Sequence, residues 1–202
     1  EVRLVKAATP ANWTAPAPTA EVREESAPHS TDAPAEKPKP KPSKGPVDMD
    51  EFKKKLTTRI KAIMAVHVLG NSTRIEEISK IAKSRNIFLI EDTCESLGAK
   101  YKEKYLGTFG DFGTYSFYYS HQITSGEGGM VVCNSKADYE LIYSMRSHGW
   151  SRRLKIKDTS FSFINSGFNL RPLEVSAAIG LSQFKRLNSM IRFRIQNREK
   201  II

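Results

Sequence analysis

Cysteine is nearly absent: the 202 residues hold two, Cys94 and Cys133. Two thiols cannot build a disulfide framework, so a reducing, cytoplasmic compartment is expected. Nor do cysteine and histidine occur at zinc-ligand spacings, and no metal site is expected. No apolar run is long enough to span a bilayer, and no signal-type apolar segment is present, so a soluble chain without a membrane partner is expected. An initiator methionine is also missing, which reads as a fragment. Aromatic residues make up only 9% of the chain and are not interleaved with basic residues as in RNA-binding strands. With no recognition-helix motif either, nucleic acid is the minor reading of the net charge of +10. A basic surface that attracts anionic metabolites such as nucleotide sugars accounts for that charge equally well.

Proline and glycine avoid each other. Nine of the ten prolines lie within residues 1–46, and eleven of the twelve glycines lie beyond them. This composition shift marks a boundary. Residues 1–46 are rich in Pro, Ala, Lys and Glu and poor in large apolar side chains. Such a segment cannot bury enough surface to offset its chain entropy and is expected to be a disordered linker. The Lys-Pro alternation at Lys37–Pro42 suggests stiff polyproline II. Residues 47–202 carry nearly all the excess positive charge, because 1–46 holds seven Lys/Arg against six Asp/Glu.

From Val47 onward the periodicities alternate between helix and strand, which predicts an α/β fold. "DEFKKKL" reads as a short amphipathic helix and "IMAVHVLG" as a strand. "NSTRIEEISKIAKSRN" reads as a helix, with Asn71 or Ser72 as N-cap and Asn86 as its stop. "IFLIED", "GTYSFYY" and "GMVVC" read as strands. A helix over Lys136 to Ser147 is capped by Asn134 or Ser135, and one long helix starts at Pro172 and runs towards Ile202. Strand–helix order with continuously apolar strands implies a mostly parallel sheet covered by helices on both faces. Chemistry in such sheets collects at the carboxyl ends of the strands. Glu91-Asp92 ends one of them, so at least one of the two carboxylates is expected at a site edge; a helix cap or ion pair is the plainer alternative.

"IKAIMAVHVLGN", "IEDTCESLGAKY", "LGTFGDFGTYSFYYSH", "GEGGMVV" and "GFNLRPLEVSAAIGLSQFKRL" follow one another in order. Together they resemble the DegT/DnrJ/EryC1/StrS family, sugar aminotransferases of the pyridoxal-phosphate fold type I superfamily. The resemblance covers about Val47 to Ile202 and implies part of that fold's large domain. It also implies roles. Asp92 would pair with the pyridinium nitrogen of pyridoxal 5'-phosphate or pyridoxamine 5'-phosphate and keep it protonated, so that the ring acts as an electron sink. Ser116 would donate to the cofactor phosphate, and Glu95 stands near the ring hydroxyl, where the family usually has glutamine. Asn169 would reach the phosphate of a neighbouring subunit, which implies a homodimer. Gly126, Gly128 and Gly129 would let the backbone turn close to the cofactor.

At position 121 the pattern departs. The family's aminotransferases carry there the lysine that forms the Schiff base; this chain has His121. An imidazole cannot replace that amine, but it can move protons near neutral pH. "EDTCESLGA" and "SFYYSHQITSGEGG" resemble the histidine-containing subgroup, the 3-dehydratases of GDP-4-keto-6-deoxymannose type that make 3,6-dideoxysugars for lipopolysaccharide. That resemblance implies non-covalently held pyridoxamine phosphate, a nucleotide-linked 4-keto-6-deoxysugar as substrate, His121 as the acid–base residue with Asp92 supporting the charge, and glutamate as amino donor. A second histidine branch uses an iron–sulfur cluster, which needs about four cysteines, and two do not suffice.

His67 is read as a satisfied core histidine rather than a catalyst, and His148, Arg146, Arg152, Arg153 and Arg171 as surface residues that could meet phosphates. The family runs to nearly twice this catalytic length, lacking here the first phosphate-binding turn, the aromatic that covers the ring and the small domain. Unpaired sheet edges would follow. A catalytically inactive family domain with an interaction role, an aminotransferase homologue and a basic nucleic-acid binder remain as alternatives.

Overall fold

The computed structural model describes residues 2–6, 47–152, 154 and 162–201. Five strands form one sheet in the order β1 (Val2–Lys6), β2 (Ile60–Val66), β3 (Phe88–Asp92), β6 (Phe112–Ser116), β7 (Gly129–Cys133). A separate hairpin pairs β4 (Lys100–Tyr101) with β5 (Lys104–Tyr105). The three central strands β2, β3 and β6 are parallel, while β1 and β7 join at the two edges antiparallel. The α/β class and the parallel sheet centre agree with the sequence reading.

The linker expected over 1–46 lies outside the described residues, with one departure. Val2–Lys6 is not a linker but an edge strand, with Val2 opposite Ala65 and Lys6 opposite Ile60. Beyond it the chain enters α1 (Met49–Lys55), where the Asp48 carboxylate accepts from the amides of Asp50 and Glu51 at 2.9 and 3.1 Å. That side-chain cap satisfies amides that have no intrahelical partner.

β2 begins three residues earlier than its apolar run and ends before His67. The reason is a 3-10 turn at Val68–Gly70, in which Leu69 and Gly70 take positive φ. This turn also displaces the next helix start. α2 (Ile75–Ser84) is entered through Arg74 in the left-handed region, not through Asn71 or Ser72. Asn71 is occupied as the end of the 3-10 turn, its amide bonded to the Val68 carbonyl. The expected stop holds: Asn86 has φ 52, and the amides of Asn86 and Ile87 return to the carbonyls of Lys83 and Ala82, a Schellman closure.

One face of the sheet carries the core. Met49, Phe52 and Leu56 from α1, Ile63 and Ala65 from β2, Ile75, Ile78 and Ala82 from α2, and Leu89 from β3 form a single cluster with Leu106. Each large aliphatic side chain there contributes roughly 1.5–3 kcal/mol by leaving water.

α3 (Lys136–Met145) is capped by Ser135, whose hydroxyl accepts from the Asp138 amide at 3.0 Å. The single long C-terminal helix is instead two. α4 (Glu174–Phe184) ends at Lys185, and α5 (Leu187–Ile201) begins beyond Arg186, with Leu187 buried and Ile191 lying over Gly98. Pro172 precedes α4 rather than filling its first turn. Among the described residues no helix is long and apolar enough to cross a membrane.

Candidate active site at the strand ends

Adjacent residues of a strand point to opposite faces, and this decides the two carboxylates that close β3. Glu91 faces the core and is fully buried. Asp92 faces the other side, half-buried, opposite Thr114 of β6. Ser116 lies two residues beyond Thr114, so it shares the Asp92 face one step further along the neighbouring strand. Asp92 Oδ1 accepts from the Cys94 amide at 3.1 Å, and its carbonyl accepts from the His67 amide at 3.0 Å. Ser116 Oγ accepts from the Tyr118 amide at 3.2 Å, which leaves its proton to donate outward.

Between β6 and β7 the chain makes a wide turn that carries His121. Phe117 bonds Gly128 and Ser125 across it, and the His121 amide donates to the Tyr118 carbonyl at 3.1 Å. Gly126 has φ 83, a conformation that L side chains resist. The His121 ring meets the Tyr118 ring edge-on, with centroids 6.1 Å apart. Two long-range bonds anchor the turn: Gln122 Nε2 donates to the Glu95 carbonyl, and Arg194 Nη2 of α5 donates to the His121 carbonyl at 3.3 Å. An open cleft of about 360 Å³ lies between this turn and α5, lined by Tyr119, His121, Phe193, Arg194 and Asn197 among others. Of the expected site residues only His121 lines it.

Glu95 is near the turn through its backbone, but its carboxylate accepts from the Leu69 amide at 3.1 Å. Asn169 is exposed and set apart, bridging to Ser147 at the end of α3. Asp92 and Ser116 thus share a face on neighbouring strands, and the turn of His121 is tied through Gln122 to the turn of Glu95, while Asn169 pairs with Ser147 instead. His67 is fully buried, in keeping with the core reading. Arg146 stacks on Tyr143 and Arg152 on Trp150; His148 and Arg171 are exposed, and Arg153 lies outside the described residues.

Sequence reasoning named Glu91 only together with Asp92, without separating their faces, and passed over Gln122 and Arg194. Period-two alternation along "IFLIED" was a signal for the first; nothing local announces contacts spanning 27 and 73 residues. Burial, with the hydrogen bond and charge of Asp92 added, pushes the Cys94 thiol up to about 11. It therefore stays protonated at neutral pH and is no nucleophile.

An anionic carboxylate on an open face, a hydroxyl donor beside it and a glycine turn that admits close backbone approach suit a flat ligand with a cationic ring nitrogen and a phosphate. Among the described residues no cluster of His, Cys, Asp and Glu could hold a metal ion.

The family model described as the DegT/DnrJ/EryC1/StrS aminotransferase family matches residues 39–201. GDP-4-keto-6-deoxy-D-mannose 3-dehydratase of Escherichia coli O55:H7 is 41% identical over 165 residues, 76% of this chain and 42% of that protein. A solved structure of the E. coli GDP-4-keto-6-deoxy-D-mannose-3-dehydratase with bound hydrated PLP superposes with a TM-score of 0.71 at 42% identity, over 76% of this chain and 42% of that one. Another GDP-4-keto-6-deoxymannose-3-dehydratase, holding a trapped PLP-glutamate geminal diamine, gives 0.66 at 42% identity, over 70% and 40%. The chain spans about two fifths of the length of these relatives.

Proposed function

Because the chain belongs to the DegT/DnrJ/EryC1/StrS aminotransferase family, we propose that it serves in the C3 dehydration of a nucleotide-linked 4-keto-6-deoxysugar, using pyridoxamine phosphate and His121 in place of the family's lysine. The observation that carries this reading is the histidine itself, on the turn that follows Ser116 and is tied to the segment after Asp92. The similarity to 3-dehydratases, one of them solved with PLP and another with a PLP-glutamate adduct, supports the cofactor, the sugar nucleotide and glutamate as amino donor.

When bound, the cofactor supplies an amine for the 4-keto carbon and a ring that accepts electron density. Asp92 holds the ring nitrogen in its protonated form, an ion pair on the half-open face rather than in the core. Ser116 donates its hydroxyl proton to the phosphate. Glu95, on the turn after Asp92, would be the residue nearest the ring hydroxyl, by the family resemblance alone, since its carboxylate accepts from the Leu69 amide here. His121 takes a proton from the aminomethyl carbon and delivers one to the C3 hydroxyl as it departs as water. An imidazole suits that exchange because it can both take up and give back a proton near neutral pH. Asn169 is assigned to the phosphate of a second copy: it is exposed beside Phe168, Leu170, Leu173 and Val175, apolar side chains that are also exposed. A dimer would cover them. The free thiols Cys94 and Cys133 accord with the cytoplasm.

Binding tests this on the chain as it stands. The native chain should bind pyridoxamine phosphate reversibly at equilibrium. His121→Lys incubated with pyridoxal phosphate should gain a covalent link that borohydride makes permanent, read as added mass on the peptide carrying residue 121. Absence of both in a folded chain would overturn the enzymatic reading and leave the family membership as ancestry.

A further inference from the structure

We propose that Glu91 and His67 are positioning residues for Asp92: beneath the sheet they lock the ends of β2 and β3 and the loop 107–110 into one unit, and so fix where the Asp92 carboxylate stands. The role of Asp92 rests on the proposed function; its placement by this pair does not.

Both side chains are fully inaccessible to solvent. A buried carboxylate is very costly unless its lone pairs are filled, and here they are. Glu91 Oε1 accepts from the amides of Phe109 and Gly110, the latter at 2.7 Å. Oε2 accepts from the Gly107 amide at 2.8 Å and from His67 Nε2 at 3.1 Å. That makes two donors on each oxygen, the full capacity of a carboxylate. The histidine tautomer follows from geometry. Nδ1 faces the Thr73 amide at 3.3 Å, which can only donate, so the proton sits on Nε2 and points at Glu91.

The main chain of His67 carries the connection onward. Its amide donates to the Asp92 carbonyl at 3.0 Å, and its carbonyl accepts from Ser96 Oγ at 3.0 Å. Three places meet at this pair: the backbone of Asp92 itself, the 93–96 turn that carries Glu95, and the loop that closes under the sheet. Stability alone does not call for it, since well-packed apolar residues in place of buried charged groups are often neutral or stabilising, and its strand neighbours Ile63, Ala65 and Leu89 are apolar. The polar set occurs at the end of the core, directly behind Asp92.

Native-state hydrogen exchange on the full chain tests this without any substitution. The amides of His67, Gly107, Phe109 and Gly110 should open together, with one shared denaturant dependence. Independent opening of the loop and His67 would overturn the proposal. Glu91→Gln should then speed exchange of either Gly107 or the pair Phe109 and Gly110 by about tenfold or more, since the new NH2 faces donors on whichever side it occupies. It should also move the Asp92 carboxyl carbon and Cys94 amide signals across the sheet, although Asp92 itself is unchanged. A folded Glu91→Gln chain, or a folded Glu91→Leu/His67→Phe chain, with native Asp92 and Cys94 signals would overturn it, and should neither fold, the exchange pattern of the native chain decides alone. Neither readout uses a cofactor, so a chain that keeps this coupling but fails to bind pyridoxamine phosphate overturns only the proposed reaction.

Discussion

Two carboxylates one residue apart in "IFLIED" meet opposite surroundings because a strand sends successive side chains to opposite faces. Asp92, on the open face, is available for a cationic ligand; Glu91 is saturated by donors from the chain itself. Asp92→Asn keeps the shape and removes the charge. A hydrogen bond to a charged group contributes about 1.5–3 kcal/mol, so the substitution should weaken pyridoxamine phosphate binding by roughly ten- to a hundredfold, measured by equilibrium titration. Gly113 poses a second test. A β-carbon there would overlap the Gly107 carbonyl, which is backbone and cannot swing aside. Gly113→Ala should therefore cost about 3 kcal/mol, read from urea unfolding; an unchanged midpoint would mean that the loop relaxes freely. Asp92 stood out in the sequence because it closes a predicted strand, whereas Ser116 and His121 were picked out by the family resemblance of the blocks that carry them. Arg194 did not stand out, since its contact with His121 joins residues 73 apart in the chain.

At the scale of elements, local chemistry explains most of what the sequence showed. Helices α1 and α3 start at acidic or hydroxyl caps, and α2 stops at Asn86, because these residues satisfy helix-end groups within a few positions. The β4–β5 hairpin was not legible: its turn places Lys102 and Glu103 at positive φ without the Asn or Gly that normally signals such a turn. Partners from elsewhere hold it. Glu76 of α2 bonds Lys102 at 2.6 Å and Lys80 at 3.1 Å. First Lys102 and then Lys80 hold the Glu76 carboxyl down, from its ordinary 4.5 to about 2. A carboxyl that is more acidic folded than unfolded stabilises the fold above pH 4.5, and that stabilisation is lost as pH falls from 4.5 towards 2. Native chain and Glu76→Gln should therefore differ in urea midpoint at neutral pH and converge near pH 2. Added salt should also shrink the gap, since the pair is solvent-exposed. A gap independent of pH would show that Glu76 acts by packing alone.

At the scale of the molecule, the sheet is asymmetric in how its edges are finished. β2 is covered by β1, whereas β7 has no outer neighbour among the described strands and exposes Met130 and Val131. α4 is apolar on several sides, with Leu173, Val175, Leu181 and Phe184 exposed at its ends and along its length. Deleting residues 1–46 should strip β2 of its edge partner. Amides of β2 that face β1 should then exchange faster, and the chain should self-associate more readily through the bared edge, read by hydrogen exchange and sedimentation. Unaltered exchange over 60–66 would mean that β1 does not protect β2 in solution.

About fifty residues separate Lys6 from Ile60. Closing a loop of that length costs roughly 3.5 kcal/mol in chain entropy, set against a pairing of five residues. α1, β2, α2 and β3, joined by short connections, can assemble before that closure is made. β1 is then the last strand to arrive and the first to leave. Any departure would bare the β2 edge, and the β1 of a second molecule could then pair with it.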